Sequence, residues 1–199
     1  MNLQVILHII KMSIDTKSIR IYDCKDSKYI KIKQMSYIED GIQKTWDIVS
    51  SHDSVSILLY NKDNRSIIIV KQFRPAVFLR NNNGYMYELC SGLVDKANKT
   101  IEEIAIEEVY EECGYKVDSV TKIAEFYSSV GTSASRQSIF YAEITNNDKV
   151  ACGGGVDNEC IEIIEIPLNQ IKDILNKPNI TPSIGFAFMW FIFNKNIKE

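Results

Sequence analysis

Residues 100–114, with the sequence TIEEIAIEEVYEECG, restrict the fold of this chain more than any other segment. Thr100 and Glu103 have the spacing of a capping box, and Gly114 is a residue type that commonly ends a helix, so the segment predicts one helix. Strand-like segments come before and after it, so the helix is expected to cover a sheet. At about 100° per residue, one side of the helix is expected to pack on that sheet. That side carries Ala105, Ile106, Val109, Tyr110 and Cys113.

This predicted helix contains six glutamates and no lysine or arginine. Glu108, Glu111 and Glu112 lie within an arc of about 100° on one side of it. A charged run of this kind most often forms a solvent-exposed face. Here the like-charged pairs at i,i+4 spacing each cost roughly 0.2–0.5 kcal/mol, with no basic neighbour to offset them. Clustered carboxylates suit hard divalent cations such as Mg²⁺, so the pattern favours a metal site over a solvated face.

Composition and charge narrow the classes of function. The chain has 199 residues, of which 45% are hydrophobic and 25% are charged, as in an ordinary globular protein. A net charge of −3 and a pI near 5.5 make a nucleic-acid backbone a poor partner. A small phosphorylated substrate remains compatible with this charge, provided that a cation lies between the phosphate and the acidic site.

The cysteines and the apolar segments bear on the location of the protein. Five cysteines, an odd number with no C-x-x-C pair, argue against a disulfide framework or a zinc site and favour a reducing cytoplasm. Residues 1–12 are apolar but too short to span a bilayer, and we interpret them as an extension or a first strand. Residues 184–193 are apolar on all sides and also short, which predicts a buried helix and no membrane anchor.

The order of the remaining elements predicts the fold class. Short alternating runs over residues 18–50 predict a small antiparallel meander. Next come a strand pair, one strand before the acidic helix, three strands after it, a polar helix and the apolar helix. Their ranges are 54–61, 66–74, 85–90, 121–129, 137–145, 159–167, 168–176 and 184–193. This order predicts an α+β protein, an α/β/α sandwich in which helices cover a mixed sheet.

Residues 92–115, GLVDKANKTIEEIAIEEVYEECGY, resemble the Nudix box G-x5-E-x7-R-E-U-x-E-E-x-G-U, in which U is a bulky apolar residue. Gly92 matches its first glycine. Its final part is matched by Glu108, Val109, Glu111, Glu112, Gly114 and Tyr115. Over about residues 20–195 the chain is similar to the UDP-sugar diphosphatase subgroup of Nudix hydrolases, as in GIQKTWD, VKQFRPAVF and SRQSIFYAE. The resemblance implies a Nudix fold with a mixed β-sheet.

Two departures from the box affect the expected metal site. One extra residue separates Gly92 from Glu108, as in this subgroup, and no glutamate occupies the first Glu position of the box. Glu107 occupies the position of a basic residue that normally orients a neighbouring glutamate through an ion pair. We therefore expect a looser metal site or a weaker activity. The three metal-type glutamates are retained, which argues against an inactive homologue.

The resemblance implies a Mg²⁺-dependent hydrolase, with Mn²⁺ as an alternative cation. Its expected reaction is cleavage of the pyrophosphate bond of a nucleotide sugar, with UDP-glucose giving UMP and glucose 1-phosphate. Two alternatives stay open, namely ADP-ribose hydrolysis and non-catalytic binding of a nucleotide sugar. The second is motivated by Glu107. The assignment of nucleobase and sugar rests on the resemblance alone.

The resemblance also implies a set of metal ligands. Glu108, Glu111 and Glu112 are expected to hold Mg²⁺, with the main-chain carbonyl of Ser91 as a further ligand. Glu111 is expected to act partly through water and therefore to belong to the catalytic residues as well.

A further carboxylate is expected from the loop that follows the glycines at 153–155. Glu159 is the first choice for a general base or an extra metal ligand, and Asp157 is the second. Without the resemblance, this glycine-rich loop would be interpreted as an ordinary surface turn. Its glycines are expected to let it close over the substrate.

Two arginines are candidate substrate-binding residues. The planar fork of Arg74 suits a diphosphate oxygen, and the alternative is a surface ion pair. Arg136 is expected to reach the phosphates or the sugar, and a structural role is equally compatible with its position. Gly92 is expected in the substrate site as the first glycine of the box, whereas Glu88 is expected to be structural.

By the same resemblance, residues 1–50 form an N-terminal β-subdomain for dimerisation and substrate shaping, and residues 51–199 form the Nudix hydrolase domain. The expected partners are a nucleotide sugar and a second copy of the chain in a homodimer, with no nucleic acid and no membrane. Trp46 is expected to stack on the nucleobase, from the partner subunit, although a lone tryptophan more often belongs to a core.

Overall fold

In a computed structural model of the protein, residues 14–27, 29–156 and 159–195 are described. The interpretation of residues 1–12 lies outside the described residues. The strands of the described part are β1 Lys31–Glu39, β2 Ile42–Ser50, β3 Ser54–Asn61, β4 Ser66–Phe73, β5 Tyr85–Glu88, β6 Cys90–Leu93, β7 Thr121–Ser128, β8 Ser135–Ile144 and β9 Ile161–Pro167. Its α-helices are α1 Pro75–Asn81, α2 Ile101–Cys113, α3 Ile171–Leu175 and α4 Pro182–Asn194.

β1 and β2 form a separate two-stranded antiparallel sheet joined by a tight turn. Asp40 and Gly41 occupy this turn with φ values of 52° and 77°. Asp-Gly is a typical pair for a two-residue hairpin turn, because both positions require positive φ. The predicted meander over residues 18–50 is wrong in part, since residues 20–24, which the structure describes, form no strand.

The other seven strands form one mixed sheet in the order β5-β4-β3-β8-β7, with β6 beside β3 and β9 beside β4. β3 and β8 run parallel, whereas the remaining pairs are antiparallel. β3 and β4 each contain five consecutive buried residues, a pattern that arises when both faces of a sheet are covered. The predicted strands on either side of the acidic helix are confirmed, apart from one segment.

That segment, residues 85–90, is predicted as a single strand, but the structure divides it at Leu89. β5 pairs with β4 as far as Glu88, and β6 pairs with β3 from Cys90 onwards. β3 and β4 pair with each other over only three residues and then diverge, so β5 and β6 fill the gap between them. Leu89 is 1% exposed at this fork. The break places β6 beside α2.

Helices cover both faces of the sheet. On one face, α2 packs through a core that includes Ile104, Val109 and the β8 residue Phe140. On the other face, α3 and α4 pack through a second core that includes Ile174 and Phe188. The predicted α+β class and its α/β/α sandwich are therefore confirmed.

α2 begins and ends where the sequence predicts. The hydroxyl of Thr100 accepts a hydrogen bond from the N–H of Glu103 at 3.2 Å, and the Glu103 carboxylate accepts one from the N–H of Thr100 at 2.8 Å. Gly114 ends the helix with a φ of 68°. The buried side is rotated from the predicted one, because Ile104 is fully buried whereas Tyr110 is 51% exposed. The prediction that Tyr110 packs on the sheet is wrong.

The other helices differ in detail from the predictions. α1 is not predicted, although Pro75 suits the first turn of a helix. A 3₁₀ turn at Leu168–Gln170 precedes α3, which is shorter than the predicted polar helix. α4 confirms the apolar helix, but it is not buried on all sides, since Met189 and Phe193 are 44% and 73% exposed. Of the helices that the structure describes, none is long and apolar enough to cross a membrane.

Phe191 tests the orientation of α4. It is fully buried, with its ring centroid 4.8 Å from that of Tyr60 and 6.2 Å from that of Tyr141. We expect Phe191→Ala to lower the free energy of unfolding, measured by urea denaturation, by about 3–5 kcal/mol, because it leaves a cavity. Phe193→Ala is the control in the same helix and should change it by less than about 0.5 kcal/mol. Equal losses would contradict this orientation.

Candidate active site

One cavity of about 520 Å³ lies where the fork in the sheet meets α2 and the loop that follows residues 153–155. Trp46 and Arg136 do not belong to its lining, as far as the structure describes it. The other predicted site residues that the structure describes all line it. They are Arg74, Ser91, Gly92, Glu108, Glu111, Glu112 and Glu159. This cavity is therefore the candidate active site.

Glu112 lies on the buried side of α2 and is 3% exposed. Its Oε2 accepts a hydrogen bond from the N–H of Ser91 in β6 at 2.9 Å, so the strand holds this side chain in the cavity wall. The pKa of Glu112 is raised to about 8, chiefly because burial disfavours the charged form. The hydrogen bond from Ser91 opposes this rise, and the negative charge of Glu108 adds to it.

Glu108 lies one turn earlier on α2 and packs against Gly92 in β6. A Cβ atom at position 92 would overlap the carboxyl group of Glu108, so only glycine lets this side chain pass so close to the strand. The pKa of Glu108 is raised to about 7, first by burial and next by the negative charge of Glu111. The positive charge of Lys96 opposes this rise.

The carboxylates of this cavity suit a divalent cation. Burial and mutual repulsion disfavour the charged forms of Glu108 and Glu112, and a cation would offset both effects. Within the described residues, no group of three or more His, Cys, Asp or Glu side chains is arranged as a complete metal site. This is compatible with Mg²⁺, which is usually held by one or two carboxylates together with water and substrate phosphates. The chemistry of carboxylates fits the cation, but these three are not arranged as a complete site, so metal binding by Glu108, Glu111 and Glu112 stays a prediction.

Residues 153–155 fix their loop to the C-terminal end of α2. The N–H of Gly154 donates to the carbonyl oxygen of Glu112 at 2.8 Å, and the N–H of Gly155 donates to that of Glu111 at 3.1 Å. These carbonyls lie in the last turn, where a helix supplies no partner of its own. All three glycines have positive φ (71°, 108° and 90°), which other residues rarely adopt. The glycines therefore dock the loop, a role that the sequence analysis misses, and closure over a substrate stays a prediction.

Glu159 reaches the cavity from this loop. Its carboxylate accepts a hydrogen bond from the N–H of Val156 at 3.3 Å. The negative charge of Glu159 adds to the raised pKa values of Glu108 and Glu112, so the three carboxylates lie within electrostatic reach of one another. Asp157, the second choice for a base, lies outside the described residues.

Arg74 directly follows β4 and forms a two-pronged ion pair with Glu88. Its Nε and one Nη donate to the two carboxylate oxygens of Glu88, each at 2.7 Å, and this pair raises the pKa of Arg74. Glu88 is 7% exposed, whereas the side chain of Arg74 is 45% exposed and lines the cavity. Arg74 can therefore form an ion pair and also bind a substrate, because Glu88 occupies only one edge of its guanidinium.

Two predicted substrate-binding residues lie elsewhere. Arg136 in β8 pairs with Asp53, to whose Oδ2 its Nε donates at 3.0 Å. Trp46 in β2 donates from Nε1 to the carbonyl oxygen of Gly131 at 2.8 Å and is 53% exposed, so it does not belong to a core. Within one chain, neither side chain is brought to the carboxylates of the cavity.

Glu107 faces two lysines of the segment that precedes α2. Its Oε2 accepts hydrogen bonds from the Nζ of Lys96 at 2.7 Å and from that of Lys99 at 2.6 Å, and these bonds lower the pKa of Glu107. The prediction that the acidic helix has no basic neighbour is therefore wrong. Both lysines stand in DKANK, directly before the helix, so a count of charges within the helix leaves them out.

Lys96 is a basic residue of the cavity that the sequence analysis misses. It lines the cavity together with Glu108 and Glu111. Its hydrogen bond to Glu107, followed by the charges of the other carboxylates, raises the pKa of Lys96, so the ammonium group stays charged. The available signal is a lysine four residues after Gly92, between a strand and an acidic helix.

Comparisons with known proteins find similar proteins over most of this chain. The NUDIX domain profile matches residues 50–184. The chain is 36% identical over 200 residues to uridine diphosphate glucose pyrophosphatase NUDT14 of Mus musculus, which covers 84% of this chain and 90% of that protein. It is 35% identical over 132 residues to GDP-mannose pyrophosphatase of Citrobacter koseri, which covers 66% of this chain and 68% of that protein.

A solved structure, described as the crystal structure of an ADP compounds hydrolase, is similar in fold. The alignment has a TM-score of 0.64 at 15% sequence identity and covers 87% of this chain and 100% of that one. At this identity the likeness supports the fold alone.

Gly92→Ala tests the contact between β6 and α2. The added Cβ should push the carboxyl group of Glu108 aside, and this flexible side chain yields at little cost in stability. We expect the affinity for Mn²⁺, measured by calorimetry, to fall about 10- to 100-fold, while the melting temperature changes by less than about 4 °C.

Gly185→Ala in α4 is the matched control, because an added Cβ meets no atom within 4 Å there. It should leave Mn²⁺ affinity unchanged. Unchanged Mn²⁺ affinity in Gly92→Ala would contradict the role of Glu108 as a ligand.

Proposed function

The chain belongs to the Nudix family, and on that premise we propose that it hydrolyses the pyrophosphate bond of a nucleoside diphosphate sugar, with UDP-glucose as the leading substrate. One observation carries the proposal, namely that the carboxylates of α2 and the guanidinium of Arg74 line the same cavity. Carboxylates hold hard cations and a guanidinium binds phosphate oxygens, so together they suit a diphosphate. The 36% identity to a uridine diphosphate glucose pyrophosphatase supports this substrate class.

Hydrolases of this family use a divalent metal ion, and we propose Mg²⁺, with Mn²⁺ as an alternative. Glu108, Glu111 and Glu112 would hold it, with the carbonyl oxygen of Ser91 as a further ligand. When bound, the cation neutralises pyrophosphate oxygens and lowers the pKa of a water molecule. The N–H of Ser91 supports this role, because it fixes the orientation of the Glu112 carboxylate.

Glu159 is the proposed general base, with Asp157 as the second choice. Its carboxylate would take the proton of the attacking water, and Glu111 would act partly through water. The docked glycines support this assignment, because they tie the loop that carries Glu159 to the helix that carries the other carboxylates. We expect this tether to keep the base and the metal ligands at a constant separation.

Arg74 is proposed to bind an oxygen of the diphosphate. Glu88 holds its guanidinium through two hydrogen bonds, so little side-chain freedom is lost when the substrate binds. Gly92 contributes by leaving room for Glu108 beside the strand.

Two alternatives have specific support. Hydrolysis of another nucleotide sugar is favoured by the name of the Citrobacter koseri relative, GDP-mannose pyrophosphatase, and ADP-ribose remains a candidate of the same class. Binding without hydrolysis is favoured by Glu107 at the usually basic position. The two lysines that pair with Glu107 weaken this second alternative, because basic charge is supplied at the same place.

We also propose a homodimer, with residues 1–50 as a dimerising β-subdomain and residues 51–199 as the hydrolase domain. The β1–β2 hairpin supports it with large exposed apolar side chains, which mark interaction surfaces. They are Ile32, Met35, Ile38, Ile42 and Trp46, each more than 50% exposed. Trp46 would then serve the site of the partner subunit, whereas Arg136, which pairs with Asp53, stays a candidate for contact with the phosphates or the sugar. A cytoplasmic location is proposed because all five cysteines are free.

Hydrolysis of UDP-glucose, GDP-mannose and ADP-ribose with Mg²⁺ tests the proposed function, with the release of UMP and glucose 1-phosphate as the expected main result. Glu112→Gln keeps the shape of the side chain but removes its charge. It should therefore lower kcat/KM by more than about 100-fold. Glu102→Gln, on the exposed side of the same helix, should leave kcat/KM within about twofold of wild type.

Two outcomes would change the conclusion. Turnover of ADP-ribose or GDP-mannose well above that of UDP-glucose would reassign the substrate. Tight binding of all three without turnover would favour a non-catalytic nucleotide-sugar binding protein.

Light scattering at micromolar concentration tests the dimer. We expect wild type to have the mass of a dimer, and Ile38→Asp in β1 to shift it towards the monomer by placing charge on the apolar hairpin. Phe193→Asp is the control, since this side chain is 73% exposed but lies on α4. A monomeric wild type would reject both the dimer and the role of Trp46 in the partner's site.

A further inference from the structure

The cavity that is proposed to bind a diphosphate is mostly acidic. Within the described residues its lining contains six carboxylates but only two basic side chains, Arg74 and Lys96. A diphosphate brings further negative charge, so the basic groups of the lining strongly influence its affinity. One edge of Arg74 is already committed to Glu88 by two hydrogen bonds. Lys96 is therefore the second cationic group that the cavity offers to a substrate.

The geometry of Lys96 suits this role. Its Nζ donates to Glu107 at 2.7 Å, and an ammonium group has three N–H donors, so this bond leaves two of them. The side chain is 37% exposed and lines the cavity with Glu108 and Glu111. Glu107 restricts the flexible lysine stem, which reduces the entropy lost when a phosphate is bound.

Lys99 provides a natural comparison. Its Nζ also pairs with Glu107, at 2.6 Å, and its side chain is 40% exposed. It does not belong to the described lining of the cavity. The two lysines thus share one partner and a similar exposure, and they differ in access to the substrate site. A comparison of the two positions therefore separates an ion-pair role from a contact with the substrate.

We propose that Lys96 binds a phosphate oxygen of the substrate and that Glu107 is a positioning residue that holds Lys96 at the cavity. This inference rests on the proposed function, since it assigns a further contact of the same site. In the Nudix box the basic residue stands on the helix. In this chain the charges are exchanged, because the helix carries the carboxylate and the preceding loop carries the cation. Glu107 then holds Lys96 in position, so a carboxylate at the usually basic position of the Nudix box serves the site and does not impair it.

The first test measures the affinity for inorganic pyrophosphate in the presence of Mg²⁺ by calorimetry, which requires no turnover. K96M should weaken binding about 10-fold, as expected for a charge-assisted hydrogen bond. It should also flatten the dependence of affinity on salt, because one phosphate contact is lost. K99M is the matched control and should stay within about twofold of wild type.

The second test separates the contact from the ion pair. E107Q should weaken pyrophosphate binding less than K96M, and the double variant K96M/E107Q should bind no worse than K96M, because Glu107 acts through Lys96. The exchange K96E/E107K re-forms the pair with reversed charges but removes the cation from position 96. Its affinity should therefore stay as low as that of K96M.

Several results would overturn the inference. These are equal losses in K96M and K99M, additive losses in K96M/E107Q, recovery of affinity in K96E/E107K, or no binding of pyrophosphate to wild type. The proposed function can fail without this inference. If wild type hydrolyses no nucleotide sugar but K96M binds pyrophosphate more weakly than wild type, the role of Lys96 in phosphate binding stands. If wild type is active and K96M binds like wild type, only the role of Lys96 is rejected.

Discussion

The contact between α2 and β6 is the constraint on which the candidate active site depends. Two consecutive residues of β6 contact two glutamates that lie one turn apart on α2. Ser91 donates its N–H to Glu112, and Gly92 leaves the space that Glu108 occupies. Because Glu112 is buried, its carboxylate cannot turn into solvent to escape the repulsion of its neighbours. The position of α2, the position of β6 and the electrostatic environment of the two glutamates therefore depend on one another.

The fork in the central sheet makes this contact geometrically available. If β3 and β4 stayed paired along their whole length, no edge of β3 would be left for β6. Their divergence lets the chain change partner strands at Leu89, and it brings Glu88, Ser91 and Gly92 to the lining of the cavity. Arg74 arrives at the same place from the end of β4. The site is therefore assembled from residues that are distant in sequence but adjacent at one opening of the sheet.

The parts predicted correctly from sequence are those controlled by local spacing. The limits of α2, the succession of strands and helices along the chain, and the placement of Glu108, Glu111 and Glu112 on one cavity follow from periodicity, capping and the match to the box. The break at Leu89 was not predictable in this way, because it depends on which distant strand offers a free edge. The exposure of Tyr110 depends on the tilt of α2 against the sheet, which periodicity does not specify.

The lysines that pair with Glu107 were missed for another physical reason. A charge count over a helix considers i,i+3 and i,i+4 neighbours, whereas Lys96 and Lys99 reach the helix from the connection before it. Long side chains make such contacts without any regular spacing. Charge balance around an acidic helix therefore has to be judged over its flanking connections as well.

The docking of residues 153–155 has a consequence for substitutions in the loop that carries Glu159. Main-chain hydrogen bonds from Gly154 and Gly155 tie the loop that carries Glu159 to the last turn of α2, which carries Glu111 and Glu112. A substitution that disfavours the positive φ of Gly154 or Gly155 would therefore displace Glu159 from the helix carboxylates without replacing any of these acidic side chains.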